Sequence, residues 1–556
     1  MGIYLNPGYK SFEEAYNSRI FVDKTEMILH INSVVRTKQK YVAVSRPRRF
    51  GKSYAVDMLC AYFGQVRDEQ PDGENSVFLR DNLFHKCKLS GHKGWDKYLG
   101  SFDVIRLVMT DFFKEGKEVS EALTLITTRI LDDLNEKYPG VKYDPKDLFY
   151  SLEKFYRKTG KAFVIIIDEW DAIFRESKED KNGQKKYLDF LRDWMKDRAY
   201  IALAYMTGIL PIKKYGEHSA LNMFTEYSMM APRQLAEYTG FTETEVRDQC
   251  KEYKMQYDDV SSWYDGYIVS DNIPVDKREA YRDGTYTRHK IAIYCPLSVV
   301  ESMTTGVIKN YWNKTESYEA LADFIKMDYD GLKDAVALLM DGGRLAIDTS
   351  TYQNDMTTFT GRDDVLSLLV HLGYLGFDDE TNEVFIPNKE ILEEFRTSTK
   401  TGEWVEAFKA FKTSEELLDA IWKCDESKTA ELMELAHDRA GNKTYNDEAA
   451  LSYGIQYALY AAQKYYTTIQ ELDTGKGYAD LVYLPSPKYP DKPALLVELK
   501  YDKSIKTAAD QIRDRNYPQK LEHYQGNLLL VSVNYNKEAV STEDGYKRHE
   551  CRIERY

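Results

Sequence analysis

Cysteine is scarce in this chain of 556 residues, and none of the six pairs as C-x-x-C: Cys60, Cys87, Cys250, Cys295, Cys424 and Cys551 are scattered. That spacing argues against a structural zinc site and against a disulfide framework, and it fits a reducing, cytoplasmic setting. Long apolar runs are missing too. Nothing approaches the ~20 residues that a membrane helix needs, so no membrane partner is expected. The opening "MGIYLNPGYKSFEEAYNSR" is polar and lacks a signal-peptide core, and Asn6 stands where a myristoylation motif wants Ser or Thr. There is no internal repeat and no long low-complexity segment. Basic tracts are short: 76 Lys and Arg face 90 Asp and Glu, a net charge of −14. Such a balance excludes coating of nucleic acid by bulk electrostatics but leaves room for a local basic groove.

What is present alternates strand and helix signals. Tyr41–Ser45 is a short apolar run, followed by helical spacing from Tyr54 to Phe63. Ser101–Met109, Ala162–Trp170 and Tyr200–Leu210 are continuous apolar runs, the mark of strands buried on both faces of a parallel sheet. The expected fold is α/β, with ligands at the carboxyl ends of the strands. From about Pro232 the pattern turns to amphipathic helices. Within it, Val365–Asn388 reads as a helix and a hairpin turning at Asp378–Asn382, a winged-helix-like unit. The last third reads as a helix near Asn446–Tyr466, a strand pair around "DTGKG" (Asp473–Gly477), and the strand "ALLVELK" (Ala494–Lys500). The expected division is 1–230, a P-loop ATPase domain; 231–440, a helical, winged-helix-like middle; and 441–556, a smaller α/β domain.

One absence is local. "SRPRRFGKSY" (Ser45–Tyr54) has the second half of the phosphate loop G-x-x-x-x-G-K-[ST], but Arg46 stands where the first glycine belongs. In such a Walker A loop, backbone N–H groups and a helix N-terminus surround the β-phosphate. Lys52 would neutralise phosphate charge, Ser53 would hold Mg²⁺, and Gly51 permits the close backbone approach. The first glycine is the more replaceable, since it ends the strand. A basic surface turn is the competing reading of this stretch alone. About 115 residues on, "VIIIDEW" ends a buried strand in an acid pair. As a Walker B strand it would use Asp168 to order the Mg²⁺ water and Glu169 to activate the attacking water. Thr207 at the next strand end can sense the γ-phosphate or merely cap a helix. Arg48 and Arg49 stand beside the loop as phosphate contacts or as solvated side chains, and Phe50 and Tyr54 flank its glycine and lysine.

Phe21–Thr25 ("FVDKT"), "RPRRFGKS", "IIIDEWD", "MTG", Trp263–Tyr267 ("WYDGY") and Tyr294–Val299 ("YCPLSV") occur in that order. Together they resemble the bacterial AAA-ATPase-like family found with a C-terminal PD-(D/E)XK nuclease-superfamily domain. The resemblance spans nearly the whole chain and implies binding of ATP with Mg²⁺. It also implies that the arginine at position 46 is the family's own form of the loop.

The C-terminal residues carry their own signal. Metal-dependent phosphodiester cleavage needs carboxylates around Mg²⁺ or Mn²⁺ and a lysine to orient or deprotonate water. Glu498 and Lys500 lie two apart on a strand and so share a face. A hairpin would bring Asp480 of "GYADLVY" beside Glu498, which matches the D…E-x-K signature of the PD-(D/E)XK superfamily. Glu448 sits where that superfamily has a helical glutamate, and Gln511 matches its helical glutamine. Glu471 would be an extra ligand or a solvated hairpin acid; His523 and His549 would assist or be structural. A surface strand with E-x-K is the competing reading. The leading expectation is an ATP-regulated nuclease acting on nucleic acid, DNA first, with a protein partner or a homo-oligomer possible. The alternative is a nucleotide-dependent switch that binds without cutting. Residues 500–556 hold only 11 Lys and Arg against 9 Asp and Glu, which favours that alternative. A plain ATPase with a structural C-terminal domain comes third.

Overall fold

The computed structural model describes residues 2–66, 76–114, 118–212, 221–270, 272–312, 317–327, 329, 331–354, 356–400, 403–440, 454–455, 458–473, 478–486, 489–501, 524, 526–542 and 545–556. They form two compact units: Met1–Leu321 with Ala346–Glu394, and Ala322–Leu345 with Phe395–Tyr556.

The first unit is built on five parallel strands. These are β1 (Tyr41–Ser45), β2 (Asp103–Val108), β3 (Phe163–Asp168), β4 (Ile201–Gly208) and β5 (Thr225–Tyr227), in the order β2-β3-β4-β1-β5. Four of them are the apolar runs of the sequence. Residues of β1, β3 and β4 are buried without exception, as both faces of a parallel sheet demand. The helix Lys52–Phe63 returns from β1 and buries Val56, Met58, Leu59 and Phe63 in the same core. This order sets the ends of β3, β4 and β1 side by side, so three loops converge at one edge of the sheet.

Beyond β5 comes a small antiparallel sheet, β6 (Phe241–Thr242), β7 (Tyr267–Ser270) and β8 (Lys290–Tyr294), with β8 in the middle. Here two of the quoted motifs have mechanical reasons. In "WYDGY", Gly266 has φ +128°, and a Cβ there would lie 1.8 Å from the Pro387 carbonyl oxygen. In "YCPLSV", Pro296 opens the helix Pro296–Thr305, and the Ser298 hydroxyl donates to Glu390 at 2.8 Å. The chain continues through β9 (Leu345–Ala346), the helix Arg362–Leu372 and a hairpin of β10 (Gly376–Asp378) and β11 (Glu383–Phe385). Helix, then hairpin, is the order expected from the sequence.

Glu390 is a closely confined carboxylate of this region. It accepts from the backbone N–H of Tyr311 at 2.7 Å and of Trp312 at 3.0 Å, besides Ser298. Burial outweighs these donors and pushes its pKa up to about 7. Between the ordinary carboxylate range and pH 7 the folded chain therefore holds a proton that the unfolded chain has released. This contribution to stability is complete at low pH and fades as pH rises through about 7, by about 3 kcal/mol at most. Thermal melts from pH 5 to 8 should show that slope flattened in Glu390→Gln. Parallel slopes in both proteins would refute the assignment.

The second unit carries a five-stranded sheet in sequence order. Its strands are β12 (Tyr466–Asp473), β13 (Tyr478–Pro485), β14 (Ala494–Tyr501), β15 (Leu528–Thr542) and β16 (Gly545–Arg555). All neighbours are antiparallel except β14 and β15. The helix Glu426–Ala440 is tied to β16 through Glu434, whose carboxylate accepts from the Arg548 and His549 N–H groups and from His549 Nδ1. His549 is thereby held by that helix. The strand pair expected on either side of the Asp473–Gly477 stretch is present as β12 and β13.

Candidate nucleotide and metal sites

The loop after β1 is held from behind. Phe50 is fully buried, meets the Tyr267 ring edge to face at 5.3 Å, and its carbonyl accepts from the Gly240 N–H at 3.1 Å. Gly51 adopts φ +84°, and a Cβ there would meet nothing within 4 Å. The glycine therefore serves a left-handed backbone facing open space, which is the form of a cradle for an anion. Tyr54 turns the other way and packs against Phe12 and Phe21. Arg49 is exposed and Arg48 half-buried.

Arg46 does not face the cradle. Its side chain is buried, donating from Nε to Thr239 Oγ1 at 2.7 Å and from NH1 to the carbonyls of Ser45 and Tyr227 at 2.9 and 3.0 Å. Burial pulls its pKa down to about 10, so it stays charged at neutral pH. The residue in the first glycine's place ties β1 to β5 and to the segment after it.

Lys52 is buried as well, and Nζ donates to the carbonyls of Arg46 at 3.0 Å and Pro47 at 2.7 Å. Burial lowers its pKa to about 8, against the pull of Asp171, Asp168 and Glu169. Ser53 Oγ donates to Asp168 Oδ2 at 2.8 Å. The other oxygen of Asp168 accepts from the Thr207 hydroxyl and from the Glu169 N–H. The structure thus brings Lys52, Ser53, Asp168 and Thr207 together, although they come from three strand ends. A hydroxyl and a carboxylate at the mouth of the loop are the oxygen donors a magnesium ion accepts, with phosphates and water completing its shell. Among the described residues no three His, Cys, Asp or Glu side chains cluster to hold a metal by themselves.

Two neighbours were missed in the sequence. Asp171 is fully buried, and Oδ2 accepts from the N–H groups of Ile209 at 3.0 Å and Leu210 at 2.9 Å, fastening the chain just past β4. Arg175 lies between the acids, 3.1 Å from Glu169 Oε2 and 3.7 Å from Asp171 Oδ2. Glu169 has φ +52°, an uncommon backbone for a non-glycine residue. Its carboxylate is held off the Ser53–Asp168 pair by Arg175. The only signal for this was the last acid of "DEWD", Asp171, followed four residues later by an arginine.

In the second unit Glu498 and Lys500 lie on one face of β14, both buried, with Glu498 Oε1 3.0 Å from Lys500 Nζ. The parallel register sets Ser532 beside Glu498 and Asn534 beside Lys500, and both of these polar side chains are buried too. Leu481 pairs with Val497 in the antiparallel register of β13 and β14, so position 480 stands level with Glu498. Asp480 is described by its backbone alone. Glu448, Gln511 and His523 lie outside the described residues, and Glu471 is likewise described by its backbone alone.

Comparison with known proteins divides along the same lines. Residues 7–216 match the family model of a predicted AAA-ATPase, and residues 452–544 that of the PD-(D/E)XK nuclease superfamily. The chain joins an AAA-ATPase-like domain to a nuclease-superfamily domain. An uncharacterised protein from the vnfD 5′ region of Azotobacter chroococcum is 23% identical over 323 residues, which is 55% of this chain. The match spans about half, 52%, of that relative. Among solved structures, the Aeropyrum pernix ORC2 protein (ADPNP–ADP complexes) and ORC1 protein (in complex with DNA) align over 67% and 73% of this chain and 91% and 99% of their own. Pyrobaculum aerophilum Cdc6p aligns over 69% of this chain and 93% of its own. Identity is 10% in each, with TM-scores of 0.25, 0.25 and 0.23, too low to carry any argument about function. No helix among the described residues is long and apolar enough to cross a membrane.

Proposed function

We propose that this two-domain chain is an ATP-binding, metal-dependent nuclease whose cutting of nucleic acid responds to nucleotide. The N-terminal segment to about residue 230 holds ATP, the middle to about 440 relays its state, and the remainder cuts. Lys52 and the backbone of the loop hold the phosphates, flanked by Arg48 and Arg49. Ser53 and Asp168 take Mg²⁺, Thr207 reads the terminal phosphate, and Glu169 activates water once it leaves Arg175. At the second site Asp480 and Glu498, with Glu448, hold Mg²⁺ or Mn²⁺, while Lys500, aided by Gln511, orients the attacking water. The observation that carries the cutting role is the buried Glu498–Lys500 pair on β14, level with position 480, inside the segment matching the nuclease superfamily. A buried pair of this kind is costly to desolvate and adds little to stability, so a role for both side chains in chemistry accounts for them better than stability does.

The test is incubation of the purified chain with plasmid and single-stranded DNA in Mg²⁺ or Mn²⁺, with and without ATP, beside Glu498→Gln. Metal-dependent cutting that disappears in the variant and changes with ATP is the expected result. No cutting by the folded wild type would leave the second reading, a nucleotide-dependent switch that binds and does not cut, favoured by the nearly balanced charge of residues 500–556.

A further inference from the structure

With no residue of either site in its wall, the first unit carries an open cleft of about 770 Å³ lined by Gln234, Asn272, Arg278, Tyr281 and Arg282 among others. The helix Arg278–Arg282 supplies its charged side. Arg278, Tyr281 and Arg282 stand at i, i+3 and i+4, hence on one face. All three are exposed, Tyr281 by 37%. The turn behind them is fastened: Tyr286 N–H donates to the Ala280 carbonyl at 2.9 Å, and the Thr285 hydroxyl donates to the same carbonyl at 3.3 Å.

Most of the surrounding charges are paired, and among the described residues these two, like Glu279 between them, are not. Asp283 accepts from the Thr285 N–H and hydroxyl at 3.0 and 2.6 Å, which holds its carboxyl below the usual range. Asp276 is 3.9 Å from Lys277. Further along, Arg288 pairs with Asp379, and Lys290 with Asp378 and Glu380. Among the described residues neither Arg278 nor Arg282 makes an ion pair or side-chain hydrogen bond, with Glu279 or with any other group. A fold does not need two unneutralised guanidinium groups and an aromatic ring at the lip of one cavity. Their chemistry is that of a strand whose phosphates meet arginine while an unstacked base meets a ring face.

We propose that this cleft binds a single strand of nucleic acid, with Arg278 and Arg282 on its phosphates and Tyr281 against a base. This deepens the nuclease reading and rests on it. The strand would be held here apart from the residues that cut.

The experiment is fluorescence anisotropy of a labelled oligothymidylate with the full-length chain in EDTA, where nothing is cut, from 50 to 300 mM KCl. An oligouridylate and a duplex of equal length run beside it. The Arg278→Ala/Arg282→Ala double variant should bind more weakly and lower the slope of log affinity against log salt by about 1.4, two single-strand phosphate contacts. Tyr281→Ala should weaken single-strand binding about ten-fold, leave that slope alone, and leave duplex binding unchanged. The Arg278→Lys/Arg282→Lys variant should keep the slope. Equal affinity and slope in wild type and both alanine variants overturns the cleft, as does a wild type that binds no single strand at 50 mM salt. Because cutting is scored separately, the cleft can fall while the nuclease reading stands, or survive a chain that does not cut.

Discussion

Lys52→Ala should bind ATP about a hundred-fold more weakly than wild type, through the loss of one charge-assisted contact to a polyphosphate. The more telling result is its pH dependence. In the free protein the amine is buried against the Arg46 and Pro47 carbonyls, with a pKa near 8. A bound polyphosphate puts negative charge beside it and raises that value. Below about pH 7 the amine is already charged, and binding takes up no proton. Above pH 8 it is mostly neutral, so binding must draw a proton from solvent and affinity falls as pH rises. Titration calorimetry at pH 8.5 in two buffers of different ionisation enthalpy measures the uptake directly. Wild type should take up about three-quarters of a proton and Lys52→Ala close to none. A pH-independent affinity in wild type, or unaltered binding by the variant, removes Lys52 from the phosphate site.

Arg46→Gly restores the usual loop pattern, and it should damage the protein. The guanidinium satisfies Thr239 and the Tyr227 carbonyl inside the fold. Its loss leaves a buried acceptor and a buried hydroxyl without a donor, a cavity the size of its side chain, and a more flexible backbone. Removing a buried charge recovers part of this, leaving a net loss of about 3–4 kcal/mol. For a unit of this size that lowers the melting temperature by roughly 4–5 °C. Nucleotide affinity measured well below the transition should stay within a few-fold of wild type. The opposite pattern, an unmoved melt with weakened binding, would make Arg46 a phosphate ligand.

These two residues show where sequence alone suffices and where it stops. The loop and the four apolar runs, the acid strand among them, are local patterns, and each run became a strand of the parallel sheet. β5 and the small sheet of β6, β7 and β8 were not legible. Their strands are two to five residues long and carry no clear alternation, so their pairing is set by partners distant in the chain. The same holds for Arg46: its partners lie 181 and 193 residues away, and no local rule could say that it turns inward. Asp171 and Arg175 sat within or beside a quoted motif, yet their roles depend on the N–H groups of Ile209 and Leu210. At the second site the face shared by Glu498 and Lys500 follows from strand periodicity. The buried Ser532 and Asn534 beside them became visible only once β15 was seen to pair in parallel.

The interleaving of the two compact units bears on how this gene can be cut apart. Because Ala322–Leu345 belongs with the C-terminal residues while Ala346–Glu394 belongs with the N-terminal ones, the chain passes between the units three times. A gene fragment stopping anywhere between residues 322 and 394 therefore leaves at least one unit short of a piece. The two units cannot be shuffled as separate beads, and either can be isolated whole only by rejoining segments or by co-expressing complementary pieces. Inheritance of the two halves together follows from that connectivity.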